Sequence, residues 1–142
     1  MHLEGKIAII TGAGSGLGLG TCAVLAAAGA KVAAFDVNAE SLAKAHEAGG
    51  TDLMTREVDV ADADAVKAGI DAVLERWRAL HIAVNCAGVI RAVKTVSKGE
   101  PFPLAAWERV IAVNLTGTFN VIRLAAVAMS RTRRHRAGAI AA

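Results

Sequence analysis

Apolar positions along this chain follow two periods. Ile7 to Ile10, Val32 to Phe35 and Ile82 to Val84 are short unbroken apolar runs, and the segments between them repeat apolar residues every three or four positions. Runs that are apolar on both faces suit buried parallel strands. They predict a first strand over Lys6 to Thr11, a second over Lys31 to Asp36 and a fourth over His81 to Asn85, with a weaker third over Leu53 to Val58. The intervening segments predict helices. One runs from Leu17 to Ala28 and stops at Gly29, a natural C-terminal cap. Another starts at Asn38, continues through Ala48 and is broken by Gly49-Gly50. A third is capped by Asp62 and carries Val66, Ile70, Val73 and Trp77 on one face. Arg91 to Pro103 reads as a polar loop. Leu104 to Met129 reads as one long helix, with Trp107, Val110 and Val113 on one side before Asn114, and Val121, Leu124 and Ala128 after it.

Regular alternation of strand and helix argues for an α/β fold, a Rossmann-like doubly wound parallel sheet with helices on both faces. The expectation is a sheet truncated after the fourth strand and the long helix. Right-handed crossovers place the ligand crevice at the carboxyl ends of the strands, where strand order reverses. Gly12 to Gly18, Asp36, Asp59 and Asn85 to Gly88 each follow a strand, so they converge on that edge. The reading divides the chain into a nucleotide-binding unit over 1–130 and a basic tail over 131–142.

The stretch Thr11-Gly12-Ala13-Gly14-Ser15-Gly16-Leu17-Gly18 joins the first strand to the first helix. Glycines allow positive φ and let backbone approach a ligand more closely than a Cβ permits. Bare amides at a helix N-terminus, together with the helix dipole, favour a phosphate. The expected ligand is a dinucleotide pyrophosphate. Asp36 ends the second strand, near the ~20-residue offset at which an acid accepts hydrogen bonds from the adenosine ribose. Its carboxylate repels a 2′-phosphate, and the glycine loop holds no Lys or Arg to compensate, so NAD is favoured over NADP. The other reading of Asp36 is a cap for the next helix.

Gly12, Gly16 and Gly18 preceded by Thr11, together with Asn85-Cys86-Ala87-Gly88 after the fourth strand, resemble the short-chain dehydrogenase/reductase family. Within it the chain looks most like the type-2 3-hydroxyacyl-CoA dehydrogenases, also described as 17β-hydroxysteroid dehydrogenase type 10-like. That likeness rests on Ser15 to Gly18, Val84 to Gly88, Lys98-Gly99 and Trp107 to Leu124, and spans about Gly5 to Met129. It implies that Asp59 takes the adenine amine while Val60 packs the ring. It also implies that the small residues Asn85, Cys86, Ala87 and Gly88 let backbone pass the cofactor's ribose. Ser15, Leu17, Asp36, Asp59, Val60 and Cys86 correspond to NAD contacts. Asn114 matches the asparagine of a catalytic set in which Ser polarises the carbonyl, Tyr transfers a proton, Lys lowers the Tyr pKa and the Asn backbone anchors a water. Read from the residues alone, Asn114 is equally a satisfied kink residue. The implied reaction is reversible hydride transfer between NAD and a 3-hydroxyacyl-CoA or similar small-molecule alcohol, and the implied assembly is a homo-oligomer.

The chain departs from this pattern in one decisive respect: it contains no tyrosine. The Ser and Lys of the set have no matching motif either, which leaves Asn114 alone. The expectation is a chain that binds NAD(H) and does not turn over by itself. The alternatives are a non-catalytic dinucleotide module docking on a full-length paralogue, and a fragment with no role of its own. The abrupt arginine run after Met129 suggests truncation or a change of reading frame, with low stability or obligatory association as its consequence. Composition adds exclusions. The formal charge is +3, but Arg131, Arg133, Arg134 and Arg136 crowd the end, and the balance without them is slightly negative. No aromatic residue is interleaved there, so nucleic-acid binding is not expected. No uninterrupted apolar run approaches a membrane span and Glu4 and Lys6 interrupt the N-terminus, so neither a membrane segment nor a signal peptide is expected and the protein is expected to be cytoplasmic. Cys22 and Cys86 have no metal or disulfide spacing and read as reduced packing residues.

Overall fold

The structure, a computed structural model, describes residues 2–49 and 53–138. Four parallel strands, β1 (Ile7–Thr11), β2 (Lys31–Asp36), β3 (Leu53–Glu57) and β4 (Ile82–Asn85), lie in the order β3-β2-β1-β4. Ile9 stands opposite Ala33 on one side and Ala83 on the other, which fixes the register. The chain winds outward from β1 through β2 to β3 and then crosses back to the far side of β1, so the switch point lies between β1 and β4. His81 holds the start of this seam. Its Nδ1 accepts the Ile7 amide at 3.0 Å, and its own amide donates to the Ile7 carbonyl at 2.9 Å.

Strand alternation sorts the core into two layers. Ile10, Val32 and Ala34 pack beneath α1 (Gly16–Ala27) and α2 (Ala39–Gly49) with Cys22, Leu42 and Ala45. Ile9, Ala33 and Phe35 pack on the opposite face beneath α3 (Ala63–Trp77), with Val66, Ile70 and Val73. Helices on both faces of a parallel sheet bear out the α/β prediction. The Asp62 side chain caps α3 by accepting from the amides of Asp64 and Ala65, and Asn38 accepts the Ser41 amide at the head of α2. The predicted break at Gly49-Gly50 lies partly outside the described residues; α2 includes Gly49.

Two expectations change. The predicted polar loop 91–103 contains a small hairpin, β5 (Val96–Ser97) against β6 (Glu100–Pro101). Its two-residue turn Lys98-Gly99 has positive φ at both positions, +54° and +82°, the geometry that matches the twist of a hairpin. The long helix also does not end at Met129. It runs as α4 (Leu104–Ile111), a π-helical segment over Ala112–Gly117, and α5 (Thr118–Gly138). Arginine is a good helix former and does not stop it. Thr132, in the predicted tail, is buried: its hydroxyl accepts the Leu80 amide at 3.0 Å and donates to the Ala128 carbonyl at 3.1 Å.

Val113, Val121, Ala125 and Ala128 press one side of this helix onto the sheet, whereas Trp107, Phe119, Ile122 and Val127 stay exposed. Leu104–Thr132 is 29 residues long and apolar enough by composition to cross a bilayer, which the absence of an uninterrupted apolar run did not foretell. Its buried side packs on the sheet core.

Candidate functional site

A cleft of about 390 Å³ opens at the carboxyl ends of the strands, across the switch point. Gly12, Ser15, Gly16, Leu17, Gly18, Asp36, Asp59, Val60, Cys86, Ala87 and Gly88 line it, brought together from the loops that follow the four strands. The glycine turn has two kinds of glycine. Gly12 has φ +64°, and a Cβ on it would lie 2.7 Å from the Ala87 amide nitrogen, so the turn nests against the loop after β4. Thr11 secures that loop from below, its hydroxyl accepting the Ala87 N–H at 3.2 Å. Gly16 has φ +51° and open space where its Cβ would stand. At Gly18 a Cβ would collide with the Gly12 carbonyl, which lets α1 begin directly on the turn.

Ser15 caps α1 by position only, with no side-chain bond to the helix amides, and the first turn holds no acidic residue. These amides therefore lack a side-chain partner, as a phosphate-accepting helix start requires. Open space at Gly16, close contact at Gly12 and Gly18, and uncapped amides fit a dinucleotide backbone.

Asp36 closes the cleft at the end of β2. Its Oδ2 accepts the Gly14 amide at 2.9 Å and its Oδ1 accepts the Asn38 amide at 3.0 Å. The side chain thus braces the turn before α2, whose cap is Asn38 and not Asp36, and it presents a fixed carboxylate to the cleft. Each oxygen keeps a lone pair free for a further donor. Asp59 is held in the same manner, its Oδ1 accepting the Ala61 amide at 2.9 Å.

Two of the predicted residues lie outside the lining. Asn85 is still within β4, and alternation places its side chain on the face of Ala83, with its Oδ1 buried and without a hydrogen-bond partner among the described residues. Asn114 sits in the π-helical segment and clamps the backbone of Val89. Its Oδ1 accepts the Val89 amide at 2.8 Å and its Nδ2 donates to the Val89 carbonyl at 2.9 Å. Its own carbonyl accepts the Thr118 hydroxyl at 2.8 Å. The side chain thereby fixes the loop that follows Gly88.

Val37, Val58, Val89, Arg109 and Val113 complete the lining and were missed by the sequence reading. Arg109 and Val113 stand one helical turn apart, and that spacing was the available signal. Arg109 Nη1 reaches Asp59 Oδ2 at 3.4 Å. Cys22, beneath the turn, is fully buried. Burial pushes its thiol up to about 11, with the neighbouring Cys86 adding to the shift, which suits an unreactive packing residue. Among the described residues no group of His, Cys, Asp or Glu is arranged to hold a metal ion.

Comparison with known proteins agrees with this architecture. A family model described as short chain dehydrogenase matches residues 6–142. The 3-hydroxyacyl-CoA dehydrogenase type-2 of Rattus norvegicus is 38% identical over 139 residues, covering 96% of this chain and 53% of that protein. The D-threitol dehydrogenase of Mycolicibacterium smegmatis is 42% identical over 121 residues, covering 83% and 45%. A short-chain type dehydrogenase/reductase from Mycobacterium ulcerans superposes with a TM-score of 0.81 at 29% identity, over 92% of this chain and 49% of that one. The chain thus spans about half the length of the relatives it matches. Its glycine turn, its switch-point cleft and these likenesses agree, and the chain belongs to the short-chain dehydrogenase/reductase family.

Proposed function

We propose that this chain forms the NAD(H)-binding half of an oxidoreductase that moves hydride between NAD and a secondary alcohol of the 3-hydroxyacyl-CoA kind. Asp36 carries the reading for NAD. It is a carboxylate fixed by two backbone amides at the adenosine end of the cleft, and no cation stands in the glycine turn to receive a 2′-phosphate. The amides of Ser15 to Gly18 would hold the pyrophosphate, and Asp59 with Val60 would hold the adenine. Cys86, Ala87 and Gly88 would pass beside the nicotinamide-side ribose. NAD supplies the hydride acceptor when bound. This chain's contribution is to bind it, to orient it, and through Asn114 to hold the Val89 backbone at the cleft mouth. The names of two relatives that match over 96% of this chain support the substrate class.

A titration of the intact chain with NADH and NADPH, followed by energy transfer from Trp77 and Trp107, tests the reading. Saturable NADH binding at least about tenfold tighter than NADPH, a difference of about 1.4 kcal/mol, is expected, with Asp36→Ala weakening NADH and narrowing the gap. Equal or tighter NADPH binding would overturn it.

One observation favours a non-catalytic binding module for the isolated chain: its 142 residues include no tyrosine to transfer the proton. NADH oxidation with acetoacetyl-CoA is expected to be undetectable, and measurable turnover would remove this second reading.

A further inference from the structure

Thr11, Asn120 and Thr132 are buried polar residues, and each holds backbone near the end of a strand. Thr11 takes the Ala87 amide and Thr132 the Leu80 amide. Asn120, 5% exposed on α5, donates from Nδ2 to the Val60 carbonyl at 3.1 Å, across sixty residues of sequence. Its Oδ1 accepts from Arg123 Nε at 3.3 Å and Arg123 Nη2 at 3.1 Å. A guanidinium offers donors only, so Arg123 turns the amide oxygen toward itself and the amide nitrogen toward Val60. Gly117 receives the side chain of the same valine. A Cβ on Gly117 would stand 2.6 Å from Val60 Cγ2, a space that only glycine leaves open. Val60 is thus seated twice on one helical surface, by its carbonyl and by its side chain.

Val60 follows β3 and lines the cleft, whereas Asn114, in the adjoining π-helical segment, clamps Val89 after β4. One continuous helical run therefore grips both walls of the cleft. The Asp59 bond to the Ala61 amide bends the segment after β3 locally, and Gly117 and Asn120 fix it from outside. We infer that Asn120 is a positioning residue for the cofactor cleft: through the Val60 carbonyl it sets where this wall stands relative to the wall held by Asn114, with Arg123 orienting its amide. The inference rests on the nucleotide reading of the cleft and adds to it a residue outside the lining.

A double-mutant cycle on NADH binding tests the role, because residues that act through one another are non-additive. Dissociation constants are measured for the unaltered chain, Asn120→Asp, Arg123→Met, Val60→Ala and each of the first two combined with Val60→Ala. Thr132→Val, which loosens a buried tie outside the cleft lining, is the control, and thermal midpoints are recorded in parallel. Asn120→Asp keeps an acceptor for Arg123 and loses the donor to Val60. The expected result is NADH binding weakened about tenfold by Asn120→Asp and about fivefold by Arg123→Met, each effect shrinking to below about twofold once residue 60 is alanine. Thr132→Val should lower the midpoint and leave NADH affinity within about twofold, since distant sites act independently. If Asn120→Asp fails to fold, Arg123→Met, altered at an exposed position, carries the same cycle. Additive effects, no weakening, or equal weakening by Thr132→Val would overturn the positioning role. If the unaltered chain does not bind NADH, the nucleotide reading falls and takes this inference with it; binding with additive effects sinks the inference alone.

Discussion

A methyl group on Gly12 would stand 2.7 Å from the Ala87 nitrogen, on a backbone already at φ +64°. Left-handed backbone costs an ordinary residue about 1–2 kcal/mol, and the overlap with a neighbouring main chain cannot be relieved by turning a side chain. Gly12→Ala is therefore expected to destabilise the chain by more than about 2 kcal/mol and to abolish NADH binding. Gly16→Ala, with open space at its Cβ, should cost only about 1 kcal/mol of backbone strain. Urea denaturation of the two variants checks the contrast, and equal midpoints would contradict it. At this scale the sequence was explicit about glycines and acids that end strands, because each stands beside a recognisable element boundary. It was silent about Arg109 and Val113. A helix exposes many positions, and which of them meets a cleft depends on how the helix is laid on the sheet.

Among the elements, the long helix holds the largest departure from expectation. The π-helical segment Ala112–Gly117 carries Asn114 and its two bonds to Val89, and π insertions of this kind concentrate at functional positions. Hydrophobic period alone placed Asn114 on the helix, with catalytic and kink readings both open. The structure shows a residue inside the π-helical turn whose side chain fixes the loop beside the cleft. Farther along, Thr132 belonged to a predicted tail and turns out to be a buried tie between α5 and Leu80, two residues before β4. Thr132→Val keeps the shape but leaves the Leu80 N–H without its partner, a loss of about 1–3 kcal/mol for a buried donor. Chemical denaturation should show a lower midpoint with an unchanged slope; an unchanged midpoint would mean that the tie carries no stability. The hairpin β5–β6 falls in the segment read as a polar loop, because its two-residue strands are too short to show alternation.

For the whole molecule, the cleft exists only when all four strands are in register, since its lining comes from segments between Gly12 and Val113. A ligand that binds this cleft binds the folded state alone. NADH at a hundredfold excess over its dissociation constant should then add about 2.7 kcal/mol to the stability, seen as a thermal midpoint raised by several degrees. Adenosine at the same concentration, lacking the pyrophosphate, should raise it less. A midpoint indifferent to NADH would show that the cleft does not take this ligand in the chain as it stands. The exposed apolar side of α4 and α5, with Trp107, Phe119, Ile122 and Val127, belongs to the same scale.

By itself the sequence determined the strands, most of the helices, the side of the sheet on which the chemistry collects and the family, because apolar period, turn residues and caps act over a few neighbouring positions. Only the tertiary structure decided that Asp36 serves the turn and the cleft together, that Asn85 points away from the lining, that α5 continues through Gly138 and that Arg109 meets Asp59 across fifty residues. Those outcomes depend on how helices are laid across a twisted sheet and on which hydrogen-bond partners that packing brings within reach. No local pattern of side chains encodes either one.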